Sequence, residues 1–279
     1  SGNKTAAYGQ LTSSGAVFIQ DAADFSMEGG AISDNTGGNG AGVCVVDSGV
    51  QSHTAQYKTS FVMDGGVISG NRAVNGINAS GGGIYSFSNF VVLNAGIISG
   101  NSAVQGGGMY SEGNTSSYST MALNNAVITE NTATSLGGGM WFCQTGEAVV
   151  NVKNGGAIYA NTAGGAGDDF VIATVNGSTD QHNATLSKRL LGGGAVSWYR
   201  DGGVYVPSPT AITSVSASVP RYDPESGDSE PLAVENSSEN LALKAVVTPG
   251  ASALANRSAK LFIVGNKATR GGGIGANGG

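Results

Sequence analysis

An isoleucine followed three residues later by an asparagine recurs along this chain and restricts its possible folds more than any other feature. The pairs are Ile32 with Asn35, Ile68 with Asn71, Ile98 with Asn101, Ile128 with Asn131 and Ile158 with Asn161, and a degenerate copy places Ile263 before Asn266. The first five asparagines lie 36, 30, 30 and 30 residues apart. A fixed period of roughly 20 to 50 residues is the sequence signature of a repeat protein.

A glycine-rich motif follows most of these asparagines. It reads Gly-Ala-Gly at 40–42 and Gly-Gly-Gly at 81–83, 106–108, 137–139, 192–194 and 271–273. Glycine adopts positive φ angles without strain, so we expect turns at these motifs. Asparagine tolerates the left-handed backbone conformation and bonds to nearby backbone groups. We therefore expect the repeated asparagines to lie at turns in that conformation and to form a ladder of side-chain amides.

Three short strands and three turns in each period of about 30 residues predict an all-β fold, a single-stranded parallel β-helix solenoid. Known solenoids lead us to expect right-handed winding. Equivalent residues of successive coils would then stack about 4.8 Å apart. Glycine contributes 47 of the 279 residues, but 40% of the chain is hydrophobic, which excludes a disordered chain. A β-sandwich is the competing fold, and it gives no reason for a constant offset between isoleucine and asparagine.

The distribution of proline divides the chain into three parts. Residues 1–206 contain the regular repeats, and we expect them to form β-helix coils. Residues 207–257 contain all six prolines and an acidic, polar stretch, which predicts a loop-rich excursion with one strand at Leu241 to Val247. Residues 258–279 carry a further copy of the repeat, so we expect the β-helix to resume there.

The composition excludes several classes of partner. The net charge is −6 and no basic run occurs, which argues against nucleic acid as a partner. No apolar stretch approaches the roughly 18 residues of a membrane span, so we expect no membrane insertion within these residues. His53 and His182 lie in no zinc motif, and no Gly-x-Ser-x-Gly nucleophile motif occurs. We expect a monomer with no cofactor, unless acidic residues hold calcium.

Two sets of acidic residues are candidate sites. Glu28 and Asp64 lie seven residues before the first two repeated asparagines, so stacking would place their carboxylates about 5 Å apart, near the separation in retaining glycosidases. They could instead hold calcium or occupy a turn position that favours Asx side chains. Asp168 and Asp169 follow a glycine-rich run and are candidates for a turn, a calcium pair or catalysis.

An aromatic row is the candidate ligand-binding face. Tyr85, Tyr110 and Trp141 each follow the apolar residue that comes after a glycine triplet. Strand side chains alternate, so if the apolar residues point inward, the aromatic residues point outward in three adjacent coils. Flat aromatic side chains on a rigid sheet are suited to binding sugars or a protein partner. In the competing interpretation the rings form a structural ladder that residues 207–257 cover.

The Gly-Gly-x-Ile-x-x-Asn motifs, with the Phe-x-Met and Val-x-Leu segments between them, resemble those of bacterial surface β-helix proteins. Examples are the adhesin repeats of the polymorphic-membrane-protein type and glycine-rich surface proteins of gut bacteria. The resemblance covers about residues 20–165 and 258–279. It implies an extracellular protein at the bacterial cell surface or cell wall that acts as an adhesin and binds a host-surface glycan or protein. A β-helix polysaccharide lyase or glycoside hydrolase is the alternative function, and a passive stalk is a third.

Overall fold

The structure is a computed structural model, and it describes residues 1–4, 15–46, 59–74, 76–87, 89–112, 119–142, 148–151, 156–172, 182–186, 189–201 and 241–259. Strands dominate these residues, with a 3-10 turn at Gly76–Asn78 and a helix α1 at Pro249–Ser258. The strands form three sheets in which most neighbours run parallel. The protein is therefore all-β, as the sequence predicts.

Sheet I contains the strands that follow the glycine motifs and ends in an antiparallel pair. In spatial order its strands are β1 (Val17–Gln20), β5 (Val43–Val46), β9 (Ile84–Phe87), β12 (Met109–Glu112), β15 (Met140–Phe142), β19 (Phe170–Ile172), β22 (Leu241–Val247) and β21 (Val196–Arg200). The first six run parallel. Strand β22 pairs antiparallel with both β19 and β21. We call β21 and β22 the cap strands, because they lie beyond the last parallel strand of this sheet.

Sheets II and III contain only parallel pairs among the described residues. Sheet II comprises β2 (Asp24–Met27), β3 (Ala31–Ser33), β6 (Ser60–Met63), β7 (Val67–Ser69), β10 (Phe90–Ser99), β13 (Ser119–Thr129), β16 (Ala148–Asn151), β17 (Ala157–Tyr159) and β20 (His182–Thr185). Sheet III comprises β4 (Thr36–Gly37), β8 (Arg72–Ala73), β11 (Ser102–Gln105), β14 (Thr132–Leu136) and β18 (Thr162–Ala163). The chain passes from sheet II to sheet III to sheet I and then returns to sheet II one strand further on.

Equivalent positions of successive repeats pair with each other. Ile98 of β10 is in register with Ile68 of β7 and with Ile128 of β13, and Ile128 is in register with Ile158. These four side chains are completely buried. The predicted aliphatic stack is therefore confirmed for these four residues, which lie in the main hydrophobic core. Ile32 pairs in register with Ile68 but is half-buried, and Ile263 lies outside the described residues.

The repeated asparagines form the predicted ladder. Backbone N and Nδ2 of Asn71 both donate to Oδ1 of Asn101, at 3.0 and 2.9 Å. Asn101 donates in the same way to Asn131, at 3.0 and 2.9 Å. The asparagine ladder comprises Asn3, Asn35, Asn71, Asn101, Asn131 and Asn161. Its last five members are at most 3% exposed, so the ladder is an internal row of satisfied amides.

The ladder also explains the constant offset from isoleucine. Nδ2 of Asn101 donates a second hydrogen bond to the carbonyl oxygen of Ile68 in the preceding repeat, at 2.9 Å. Asn131 and Ile98 repeat this bond at 3.0 Å. The three-residue spacing therefore lets one asparagine bond a neighbouring amide and the backbone beside the aliphatic stack.

The left-handed backbone conformation belongs to the residue before each ladder asparagine, so its predicted place at the asparagine itself is wrong. The residues at this position have φ angles between 56° and 71°, and they are Gly2, Asp34, Gly70, Gly100, Glu130 and Ala160. From Asp34 onward, this preceding residue lies at the corner between a strand of sheet II and the next strand of sheet III, and the asparagine that follows it is buried. The side-chain amide therefore bonds the asparagine of the next repeat.

Two glycines of each motif are needed for different reasons. Gly106 and Gly137, the first residues of their triplets, have φ angles of 60° and 64°. A Cβ atom on Gly108, the third residue, would lie 2.6 Å from the carbonyl oxygen of Gly139 and 2.9 Å from Nδ2 of Asn131. The third glycine is therefore required by the close approach of the next repeat and its ladder amide.

Extra residues are accommodated at a corner between sheets. Four residues lie between Asn101 and its triplet, whereas nine lie between Asn71 and the triplet at 81–83. The additional residues include the 3-10 turn Gly76–Asn78. The chain then rejoins the stack through a parallel bridge between Ser80 and Gln105. The length of this corner therefore varies without a change in register.

The described part of the 207–257 segment contains the predicted strand at Leu241–Val247 and a helix that the sequence does not predict. Helix α1 packs on sheet II, where the hydroxyl of Tyr159 donates to Oδ1 of Asn256 at 2.9 Å. The triplet at 192–194 forms the predicted turn, in which the backbone N of Gly193 donates to the carbonyl oxygen of Leu190 at 2.9 Å, and this turn lies against α1, where Gly194 approaches Ala251. The segments 207–240 and 260–279, including the repeat copy at Asn266, lie outside the described residues.

Replacement of Asn131 by alanine should destabilise the protein by about 2–4 kcal/mol, because it leaves buried backbone and amide groups of both neighbouring repeats without partners. Chemical denaturation measures the loss. The matched control is Asn124→Ala, which removes a partly buried amide bonded to Asn94 at 2.7 Å. We expect the control to cost less than about 1 kcal/mol, and equal losses for the two variants would contradict the structural role of the ladder.

The position before the ladder asparagine allows a test with opposite changes at two equivalent sites. Ala160→Gly should stabilise the protein by roughly 0.5–1 kcal/mol, because alanine at a φ of 56° is strained. Gly100→Ala should destabilise it by about 1–2 kcal/mol through backbone strain alone, since the nearest atom to the new Cβ is 3.8 Å away. Thermal unfolding of both variants measures these shifts, and shifts of the same sign would contradict the assignment.

Candidate functional site

The predicted aromatic row lies on adjacent strands of sheet I. Tyr110 of β12 is in register with Tyr85 of β9 and with Trp141 of β15. The rings of Tyr85 and Tyr110 are stacked, with centroids 5.3 Å apart and an interplanar angle of 11°. Tyr110 meets Trp141 edge-on at 5.1 Å and 89°. Parallel pairing in register therefore brings all three rings into one continuous contact.

This row is buried. Tyr85, Tyr110 and Trp141 are 7%, 6% and 3% exposed. They form a second hydrophobic cluster, separate from the core between the sheets, with Cys44, Leu136, Ala166, Val171 and Ala242. The rings therefore contact one another and their neighbours, and in this conformation they present little surface to a ligand. Ligand binding by these residues stays a prediction.

A carboxylate that the sequence analysis did not single out joins the two tyrosines. The hydroxyl groups of Tyr85 and Tyr110 both donate to Oε2 of Glu112, at 3.2 and 3.4 Å. Glu112 follows Tyr110 by two residues, so both side chains leave the same face of β12. This alternation is the sequence signal that could have identified Glu112.

The exposed end of the same outward column is Phe18, which the sequence analysis also missed. Phe18 of β1 is in register with Cys44 of β5, which is in register with Tyr85. Unlike the rest of the column, Phe18 is 46% exposed. The sequence pattern did not predict Phe18 as a member of this column, because Gly15 and Ala16 before β1 do not form a recognisable glycine triplet. Among the described aromatic residues of sheet I, Phe18 is therefore the one classed as exposed.

The acids seven residues before the ladder asparagines lie at the exposed end of a column whose later members, Asn94 and Asn124, are half-buried. Nδ2 of Asn94 donates to Oδ1 of Asp64 at 2.8 Å, and Nδ2 of Asn124 donates to Oδ1 of Asn94 at 2.7 Å. Glu28 and Asp64 are both exposed. This geometry supports the turn interpretation, because Asp64 bonds a neutral asparagine at the equivalent position. Calcium binding by Glu28 and Asp64 stays a prediction.

Asp168 and Asp169 occupy the last two positions of a glycine motif. Gly167 has a φ of 66°, as the first glycine of a triplet does, and β19 follows directly after Asp169. Oδ1 of Asp169 accepts hydrogen bonds from N and Nδ2 of Asn161, at 3.0 and 2.9 Å. These are the two bonds that each ladder asparagine receives from its predecessor. Asp169 therefore terminates the asparagine ladder with a carboxylate.

The remaining oxygens of this pair also accept hydrogen bonds. Oδ2 of Asp169 accepts from the backbone N of Ala245 at 2.7 Å. Oδ1 of Asp168 accepts from the backbone N of Ala163 at 2.8 Å, and Oδ2 accepts from Nζ of Lys244 at 2.7 Å. Calcium at this site would have to displace these donors. Among the described residues, no group of three or more His, Cys, Asp or Glu side chains is arranged to hold a metal ion.

Burial determines the electrostatics of this cluster. It raises the pKa of Asp169 to about 7, although the hydrogen bonds from Asn161 and Ala245 act in the opposite direction; the charge of Asp168 adds to the increase. Burial alone would lower the pKa of Lys244. The hydrogen bond and charge of Asp168, with the charges of Asp169 and Asp201, raise that pKa above its ordinary value. Lys244 is therefore a cation held by carboxylates.

Comparisons with models of protein families, with curated proteins and with solved structures find no match to this chain. No helix among the described residues has both the length and the apolar character needed to cross a membrane. The candidate site thus rests on the geometry of the chain itself.

The buried row and its exposed end should respond differently to truncation. Trp141→Ala should destabilise the protein by about 3–5 kcal/mol, because it opens a cavity in the second hydrophobic cluster. Phe18→Ala should cost less than about 1 kcal/mol, because its ring is half in solvent. Urea denaturation measures both values. A small loss for Trp141→Ala would show that the row is dispensable for the fold.

Proposed function

We propose that the three sheets are the faces of a single parallel β-helix, and that this solenoid is an adhesin-like protein of the bacterial surface. The repeated passage through sheets II, III and I supports the solenoid, since each passage brings the chain back beside its previous strand. Right-handed winding is proposed because connections between parallel strands of one sheet are nearly always right-handed.

The observation that carries the functional proposal is the unbroken asparagine ladder from Asn3 to Asn161. A ladder in constant register makes the solenoid a stiff rod and fixes each outward column of side chains at a repeat of about 4.8 Å. A rigid, extended surface suits the binding of a repetitive glycan or a host protein, because little conformational entropy is lost on association. The half-exposed ring of Phe18 gives such a surface an apolar contact point.

The engagement of the described acids favours binding over catalysis. Glycosidases need two carboxyl groups that face the same substrate bond. Here Asp64 bonds Asn94, Asp168 bonds Lys244 and Asp169 bonds Asn161. A solenoid lyase or hydrolase that used Asp64, Asp168 or Asp169 would therefore have to break these bonds.

A passive stalk is the second candidate function, and the burial of Tyr85, Tyr110 and Trp141 favours it. Aromatic side chains that contact one another stabilise the rod but leave a smaller surface for recognition. The two proposals differ in one respect: an adhesin has a ligand that depends on an exposed face, whereas a stalk has none.

Binding of the full chain to arrays of glycans and host-surface proteins tests the proposal. We expect a ligand whose affinity falls at least about tenfold in Phe18→Ala, the loss expected when one half-buried aromatic contact is removed. Thr134→Ala is the matched control, because Thr134 is exposed on sheet III and its truncation leaves sheet I unchanged. Loss of affinity in Thr134→Ala alone would show that the binding face lies on sheet III. Arrays to which no ligand binds would support the stalk.

A further inference from the structure

Sheet II carries an apolar column on its outer face. Its members each precede an isoleucine of the aliphatic stack, so strand alternation points them away from the core; they are Ala31, Val67, Ile97, Val127 and Ala157. We call this set the outer column. Ala31 is exposed, and Val67 and Ile97 are half-buried. Val127 and Ala157 are completely buried. Among the described residues, the outer column is therefore covered at one end and open at the other.

Helix α1 and the residue that caps it cover the buried end of the outer column. Ala251, Ala255 and Ala259 recur at every fourth residue, which places their methyl groups on one face of the helix. They are at most 5% exposed and belong to the same hydrophobic cluster as Val127 and Ala157. Small apolar side chains therefore form this contact, and they let the helix lie close to the sheet.

Two hydrogen bonds fix the direction in which α1 runs along the sheet. Within the helix, Oδ1 of Asn256 accepts from the hydroxyl of Tyr159 at 2.9 Å. At its C-terminal end, the carbonyl oxygen of Ala259 accepts from the backbone N of Gly96 at 3.0 Å. Tyr159 belongs to a repeat that lies two repeats after that of Gly96. The chain therefore leaves α1 in the direction of the open end of the outer column.

A row of backbone donors lies beside the open end. Gly30, Gly66 and Gly96 each precede a member of the outer column, and their φ angles are 83°, 95° and 115°. The backbone N of Gly96 holds the end of α1. The backbone N atoms of Gly66 and Gly30 donate no hydrogen bond within the part of the chain that the structure describes. The two repeats beyond α1 therefore offer the same donor beside the same apolar column.

We propose that the open end of the outer column is the docking surface for residues 260–264 of the same chain, which directly follow Ala259. Their sequence, Lys-Leu-Phe-Ile-Val, supplies four apolar side chains that cover Val67, and their carbonyl groups accept hydrogen bonds from Gly66 and Gly30. Five residues span up to about 17 Å, whereas two repeats span about 10 Å, so the segment is long enough. The proposal does not depend on the binding function, and it leaves sheets I and III as the faces for a ligand.

The exit point of α1 argues against the predicted resumption of the β-helix within the same chain. The positions next to the described ends of the aliphatic stack lie beyond Ile32 and beyond Ile158, each three repeats or about 14 Å from Ile98. Ile263 follows Ala259 by four residues, which reach about 14 Å when fully extended. No length remains for the passage from the outer face into the core. The open end of the outer column, by contrast, begins where α1 ends.

Cysteine labelling of the full chain tests the proposal. Val67→Cys and Val62→Cys introduce thiols at two half-buried valines of one repeat, on either side of the turn between β6 and β7. We expect a water-soluble maleimide to modify position 67 at least about tenfold more slowly than position 62, because only position 67 lies under residues 260–264. Peptide mass spectrometry measures each rate separately from those of the native cysteines. Equal rates at the two positions would overturn the proposal.

Two further variants connect the protection to this segment. Phe262→Ser combined with Ile263→Ser removes the apolar contact, so the labelling rate at position 67 should rise to that at position 62. Ile274→Ser makes the same kind of change later in the chain and should keep the difference between the two rates. A difference that survives the double substitution, or that Ile274→Ser also abolishes, would refute the assignment of residues 260–264.

Two measurements distinguish the same chain from another occupant. Protection at position 67 should stay the same when the protein is diluted from about 100 µM to about 1 µM, because a contact within one chain does not depend on concentration. Protection that is lost on dilution would place a second copy on the outer column and overturn the proposal. In the wild-type chain, NMR should detect contacts between the methyl groups of Val67 and the side chains of residues 260–264. Their absence would overturn the proposal even if the double variant does not fold.

Discussion

The rest of the structure depends on the hydrogen bond between one buried asparagine amide and the next. A primary amide in an apolar interior is destabilising unless its donors and its acceptor are satisfied. Oδ1 of Asn101 accepts two bonds from Asn71, and its own donors bond Asn131 and the carbonyl oxygen of Ile68. No ladder member can be satisfied unless its neighbouring repeats are in register. The polar row therefore gives the apolar stack around it a single alignment, which hydrophobic contact alone would not provide.

The sequence was sufficient for the features that repeat. Spacing alone predicts the period, the isoleucine stack, the ladder and the order of the aromatic row, because equivalent residues of successive repeats occupy equivalent positions. The sequence was less informative about residues whose structural role does not recur in other repeats. Asp169 takes the place of a missing asparagine, which could be recognised only by knowing that the next repeat supplies no ladder residue. Helix α1 has no periodic partner, although Thr248 accepts a capping hydrogen bond from Ala251 and Pro249 follows it, a combination typical of a helix start.

Exposure was the second property that the pattern left open. Alternation along β12 correctly separates Met109 from Tyr110, but it cannot show whether the outer face meets solvent or protein. Tyr110 is buried with its neighbours, whereas Phe18 in the same column is exposed. The chemical character of an outward column thus varies along the axis, from an accessible aromatic side chain at β1 to a closed cluster at β15. Recognition and rigidity can be served by different segments of one sheet.

The corner at Gly76–Asn78 shows how such a protein can diversify. Five more residues enter there than in the following repeat, yet Ser80 regains its partner Gln105 and the strands on either side keep their alignment. The register of a strand therefore depends on its place along the asparagine ladder and not on the number of residues that precede it. The corners are therefore positions at which the sequence can lengthen and diversify while the buried stack and the asparagine ladder between the sheets stay unchanged.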